Sequence, residues 1–171
     1  MPLGVNDMDE HSRQQHPFEP VWNQDSEILI LGSFPSVKSR QNAFYYGHPQ
    51  NRFWVVLASV LGQEIPVTVE EKREFLLKNH IALWDVVASC DIAGSSDSSI
   101  RGAVVNPVGM LLKCTKIKRV FLNGAAAEKL YNRYLLPKLG VPGFRLPSTS
   151  PANAAWSKER LCQAWKEILL P

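Results

Sequence analysis

The sequence predicts a three-layer α/β/α sandwich around a short, mostly parallel sheet of about four strands. Segments of strand length, Ile28–Leu31, Ile81–Ala88, Arg119–Leu122 and Phe144–Leu146, alternate with stretches whose apolar residues recur at helical spacing. The clearest of the strand segments are continuous apolar runs, as strands covered on both faces are. The length of 171 residues fits one domain. That domain is expected over residues 17–171, after a polar, mobile N-terminal arm at residues 1–16.

The elements follow in order. Ile28–Leu31 is stopped by Gly32 and leads into a long polar loop with aromatics as far as Asn51. Phe53, Trp54, Leu57, Val60 and Leu61 then mark a helix that Gly62 ends. Thr68 and Glu71 form a capping box for a second helix running to about Asn79. Ile81–Ala88 is a buried strand interrupted by Asp85, and residues 89–105 are a polar connection without a clear period. Pro107 opens a short helix ending near Cys114. After the strand at Arg119–Leu122, Gly124 leads into a helix whose Leu130 and Tyr134 are expected to face inward. Phe144–Leu146 runs into PSTSPANAAW, and the last helix, from about Ser157, is expected to bury Leu161, Trp165, Ile168 and Leu169.

Composition narrows the function. Hydrophobic residues make up 45% and charged residues 20%, which excludes a disordered chain, a collagen-like chain and a coiled-coil rod. No apolar run approaches the ~20 residues of a membrane span, and no secretory signal pattern opens the chain. Cys90, Cys114 and Cys162 are odd in number and lack CxxC spacing, so they read as small buried residues in a reducing compartment. The cytoplasm is the expected location. Net charge is +3, but residues 1–27 carry six acids against Arg13 alone, while residues 28–171 carry +8. The folded body is therefore basic, which suits a polyanionic partner.

Ligands of such sheets sit beyond the carboxyl ends of the strands. The loop after the first strand holds neither GxGxxG nor a Walker-type pattern, which argues against the common nucleotide cofactors. It reads GSFPSVKSRQNAFYYGHPQNRFW instead. A Gly-Ser turn offers backbone donors, Tyr45 and Tyr46 offer flat stacking surfaces, and Lys38, Arg40 and Arg52 offer phosphate partners. Asn51 stands just ahead of a helix, where an N-cap role is also open to it. His48 has no second histidine at metal-ligand spacing, so neither a metal site nor a cofactor is expected.

HPQNRFW at 48–54 resembles the HPxNRFW of the bacterial mismatch-specific uracil-DNA glycosylases, and Gly32–Ser36 (GSFPS) falls on their GINPG motif. Ser148–Asn153 (STSPAN) falls on the second motif of the uracil-DNA glycosylase superfamily, and the terminal WKEIL is also similar. The resemblance covers about residues 27–170 and is nearest to the hypoxanthine-DNA glycosylases. It departs from the uracil enzymes at two positions: Phe34 replaces the water-orienting polar residue, and Ser148 stands where the uracil-specific enzymes have a histidine.

The resemblance implies a monofunctional glycosylase that flips a deaminated base out of DNA and hydrolyses its N-glycosidic bond, leaving an abasic site. Hypoxanthine is the leading base. Uracil or mismatched thymine is the close alternative, and a non-catalytic damage-binding module or a small-molecule nucleoside hydrolase remains open. Asn51 is implied as the catalytic residue. Gly32, Ser33, Phe34, Tyr46, Asp85 and Ser148 are expected to bind the base, with Tyr46 stacking on it. Lys38, Arg52, Ser150, Pro151, Ala152 and Asn153 are expected to contact DNA. Ser96, Asp97 and Ser99 are further pocket candidates. The expected partner is DNA carrying a deaminated base, bound by a monomer that is neither membrane-associated nor metal-dependent.

Overall fold

A computed structural model describes residues 11–171. Its main sheet has four parallel strands: β2 (Ile28–Gly32), β3 (Ile81–Asp85), β6 (Arg119–Asn123) and β7 (Gly143–Leu146), in the order β3-β2-β6-β7. Leu29, Ile30, Leu31, Leu83, Phe121 and Leu122 are fully buried, as expected of strands covered on both faces. Helices α3 (Val69–Lys78) on β3 and α5 (Ala125–Tyr134) on β6 and β7 cover the sheet. Helix α2 (Phe53–Leu61) packs on α7 (Lys158–Trp165), with the Phe53 and Trp165 rings edge to face at 5.8 Å. The three-layer α/β/α architecture is the expected one.

Local signals act as the sequence implies. Gly62 closes α2 at φ 63°, and Thr68 with Glu71 completes the capping box of α3. Pro107 precedes α4 (Val108–Cys114), and Ser157 caps α7 through the Arg160 N–H. The aromatic loop contains a short helix, α1 (Val37–Asn42), capped by Ser36. Between α5 and β7 lies one further turn of helix, α6 (Leu136–Leu139).

Five expectations need correction. Residues 89–105 are not a featureless connection. Strand β4 (Val87–Ile92) and strand β5 (Arg101–Val105) form a second, antiparallel sheet with β1 (Ser12–Gln15), in the order β1-β4-β5. The mobile arm therefore does not extend through residues 12–16. Ser12–Gln15 pair with Ile92–Ser89, Arg13 donates to the Gly102 carbonyl and to Ser89 Oγ, and the His16 N–H donates to Ala88 O at 2.7 Å. The remaining arm, residues 1–10, lies outside the described residues. In α5 the inward residues are Ala127 and Tyr131, while Leu130 and Tyr134 are half-buried. Leu169 is exposed, because the chain tightens into a 3₁₀ turn at Lys166–Leu169 and turns that side chain outward. Of the cysteines, Cys90 alone is buried; Cys162 is half-buried and Cys114 exposed.

Parallel pairing sets Gly32 opposite Asp85 and Asn123 opposite Leu146, so all four strands end along one edge of the sheet. The chain steps from β2 to β3 on one side and then crosses back to β6 on the other side of β2, so the strand order reverses there. That is where open α/β sheets form a crevice. No helix among the described residues is long and apolar enough to cross a membrane.

Candidate active site

A cavity of about 270 Å³ opens at that crevice. Its wall holds Gly32, Ser33, Phe34, Tyr46, Asn51, Asp85, Ser148, Ser150, Pro151 and Ala152, so residues more than a hundred positions apart meet in one place. Lys38 does not join them: it is exposed on α1. Asn153 sits behind the wall, its Nδ2 donating to Ser148 O at 3.0 Å.

The floor is built at Gly32. A Cβ there would stand 2.4 Å from Asp85 Oδ1 and 2.8 Å from the Tyr46 hydroxyl, so only glycine leaves room for both groups to converge. Asp85 ends β3 opposite Gly32, and its main-chain carbonyl accepts from Asn106 Nδ2 at 2.8 Å. Its carboxylate is buried and meets His16 Nε2 at 2.8 Å.

Tyr46 differs from the expected stacking platform. One ring face lies on Phe53, with centroids 4.1 Å apart and planes 18° from parallel. Its φ of 53° is in the left-handed region, unusual for a large side chain. Its hydroxyl is buried with no hydrogen-bond partner among the described residues. Burial, with the nearby Asp85 charge, pushes the phenol pKa far upward, so the group stays a neutral donor. The neighbouring Asn123 amide offsets this only in part, since both its polar atoms bond to Thr149, at 3.0 and 3.1 Å.

Asn51 stands ahead of α2. Its Oδ1 accepts the Phe53 N–H at 2.9 Å, which fixes the orientation of the amide and leaves its Nδ2 donors without a partner among the described residues. The N-cap position weighed from the sequence thus falls on Arg52 instead, but Asn51 still satisfies the first N–H of the helix from the residue before the cap, and the second half of its amide remains available in the cavity wall. Ser33 donates its hydroxyl to Asp97 Oδ1 at 2.7 Å. Asp97 is exposed as a residue, but its carboxyl lies in the cleft, where desolvation raises its pKa against the Ser33 bond. Ser96 and Ser99 are occupied within their own turn: Ser99 Oγ donates to Ser96 O at 2.6 Å.

Arg52, expected to contact DNA, is engaged within the protein. Its guanidinium donates to the carbonyls of Trp156, Ser150 and Asn153, and its N–H donates to Thr149 O at 3.1 Å. It ties the HPQNRFW segment to the STSPAN loop. Ser148 Oγ accepts the Ser150 N–H at 3.1 Å and shapes the same loop.

Two residues of the site were missed in the sequence: Asn123, in the cavity wall at the end of β6, and His16, which backs Asp85 from behind the wall. Asn123 is signalled by its place just before Gly124 at a strand end. His16 has no comparable signal, standing alone in a polar segment ahead of Pro17. Among the described residues, no group of three His, Cys, Asp or Glu could hold a metal ion.

The family model for the uracil DNA glycosylase superfamily matches residues 19–169. A protein of Methanosarcina acetivorans named hypoxanthine DNA glycosylase is 36% identical over 88% of this chain and 95% of its own length. A namesake from Methanosarcina barkeri is 34% identical over 88% of this chain and 94% of its own. A solution NMR structure from M. acetivorans, described as a candidate uracil DNA glycosylase, superposes with a TM-score of 0.75 at 32% identity. It covers 91% of this chain and 99% of that one. With the two motifs facing each other across the same cavity, the chain belongs to the uracil DNA glycosylase superfamily.

Proposed function

We propose that this protein is a monofunctional DNA glycosylase that excises hypoxanthine by hydrolysis and leaves an abasic site. The relatives named hypoxanthine DNA glycosylase, alike over nearly their whole length, support the activity. The observation that supports a lactam-bearing, deaminated base is the convergence of Asp85 Oδ1 and the Tyr46 hydroxyl at Gly32; among such bases, the names of these relatives favour hypoxanthine. Hypoxanthine presents a ring N–H beside a carbonyl oxygen. Asp85 accepts from the first, and Tyr46 donates to the second. Adenine reverses both polarities and would leave both buried groups unpaired, a strong ground for rejection.

Cleavage develops positive charge on the sugar and negative charge on the departing base, as in other glycosyl transfers. Asn51 supplies the unpartnered amide at the cavity wall. Its Nδ2 donors hold the water or the leaving base, and the N-terminus of α2 adds partial positive charge on that side. Phe34, only 7% exposed, closes the wall with an apolar surface. The loop at Ser150–Ala152 forms the rim and faces the DNA backbone, with Lys38 as an outlying cation. The enzyme acts as a monomer in the cytoplasm.

The test is a set of duplexes carrying single hypoxanthine, uracil, xanthine or mismatched thymine, incubated with the enzyme and cleaved with alkali. Strand breaks at hypoxanthine ahead of the other bases support the reading. Breaks at uracil or thymine alone, or none at all, refute it.

A further inference from the structure

We infer that His16 is a positioning residue that sets base choice by locking Asp85 as a hydrogen-bond acceptor; the inference rests on the base-excision reading above. His16 lies three residues ahead of the family match, in a segment whose sequence suggested no role. Its ring is nonetheless built into the site. The backbone N–H is held by Ala88 O, and the ring packs on Phe18, Phe34 and Tyr45 at 4.7, 6.1 and 5.8 Å. The side chains of His16 and Asp85 are each 4% exposed.

The hydrogen bonds determine where protons can be. His16 Nδ1 lies 2.8 Å from Phe18 O, and a carbonyl only accepts, so Nδ1 carries a hydrogen. One further proton then lies between Nε2 and Asp85 Oδ2, 2.8 Å apart. If it rests on Nε2, the pair is imidazolium and carboxylate; if on Oδ2, it is imidazole and carboxylic acid. Both placements have zero net charge, and both leave Oδ1 as an acceptor.

Two consequences follow for the base. The floor of the cavity presents no net negative charge to a base leaving as an anion, which an isolated carboxylate would. Oδ1 also cannot turn away, because Oδ2 is held and Oδ1 is confined against Gly32. Without His16, Asp85 is a buried carboxyl free to rotate or to hold its proton on either oxygen. The site then loses its fixed acceptor for the lactam N–H.

The experiment compares single-turnover cleavage of matched duplexes carrying hypoxanthine or unsubstituted purine, which lacks both the lactam N–H and its carbonyl. His16→Ala should slow hypoxanthine cleavage at least about tenfold more than purine cleavage, the scale of one lost buried hydrogen bond. Asp85→Ala should do the same, and the double variant should be no less selective than either single variant. If both substrates slow by one common factor, or the singles add independently, His16 is structural and the inference fails. Should melting curves show His16→Ala unfolded, His16→Gln decides. It keeps a donor to Asp85 but not the bond to Phe18 O, so a partial, hypoxanthine-confined loss supports the inference and wild-type selectivity overturns it. Failure of the wild-type enzyme to cleave hypoxanthine would refute the functional reading instead.

Discussion

Replacing Arg52 with alanine separates a loop clamp from a phosphate contact. The guanidinium reaches three main-chain carbonyls of the 150–156 loop, two of them at 3.1 Å. A hydrogen bond from a charged donor contributes about 1.5–3 kcal/mol, but these carbonyls are only part-buried and regain water when the donor goes. The net loss should therefore be about 2–3 kcal/mol, well below the sum of three. For a domain of this size that lowers the melting temperature by roughly 4–12 °C. Urea unfolding with an unchanged m-value checks the loss, and DNA affinity measured against salt checks the alternative. Stability within about 0.5 kcal/mol of wild type, together with a salt slope shallower by about one unit, would show that Arg52 is free to neutralise a phosphate.

Other perturbations probe the floor and the cleft. Gly32→Ala places a methyl group 2.4 Å from Asp85 Oδ1 and should reduce hypoxanthine cleavage about 100-fold or more, as small displacements of reacting groups do. Wild-type rates in that variant would refute the convergence at Gly32. Tyr46→Phe removes a buried, unpartnered hydroxyl, so it should raise the melting temperature while slowing hypoxanthine cleavage about tenfold. A lowered melting temperature with unchanged cleavage would show that the hydroxyl is satisfied elsewhere. Asp97 has its pKa raised by burial, so its ionisation opposes folding once pH rises through the unfolded carboxyl range. Asp97→Asn should therefore gain stability relative to wild type at pH 7 and lose that gain at pH 3; melting curves at both values check the sign.

The parallel sheet and the place of its crevice were legible because hydrophobic burial wrote them directly. Ile28–Leu31 is a run with both faces apolar, and Gly32 ends it where the site begins. The second sheet left no such trace. Strand β1 is Ser-Arg-Gln-Gln, held by cross-strand pairing rather than by propensity, and β5 presents Arg101, Gly102 and Val104 to solvent. Tyr131 is buried with its hydroxyl donating to Val141 O at 2.5 Å, a partner beyond the helix that helical periodicity does not contain. Within the site, the motif residues were readable one by one, but their partners were not. His16 meets Asp85 across 69 positions, and Arg52 meets Asn153 across 101, so the employment of each side chain depends on the fold being complete.

The most direct measurement is single-turnover cleavage of hypoxanthine duplex by Asn51→Ala, well below its melting transition, with Asn51→Asp as the capping control. Asn51 holds the Phe53 N–H with one half of its amide and leaves the other half available in the cavity. Loss of the cap alone costs about 1 kcal/mol of stability and leaves cleavage nearly intact. The account predicts that Asn51→Ala binds duplex but cleaves roughly 100-fold more slowly or worse, the scale of losing a positioned acid–base partner. Near wild-type cleavage in both variants would contradict it and leave Asn51 a helix cap.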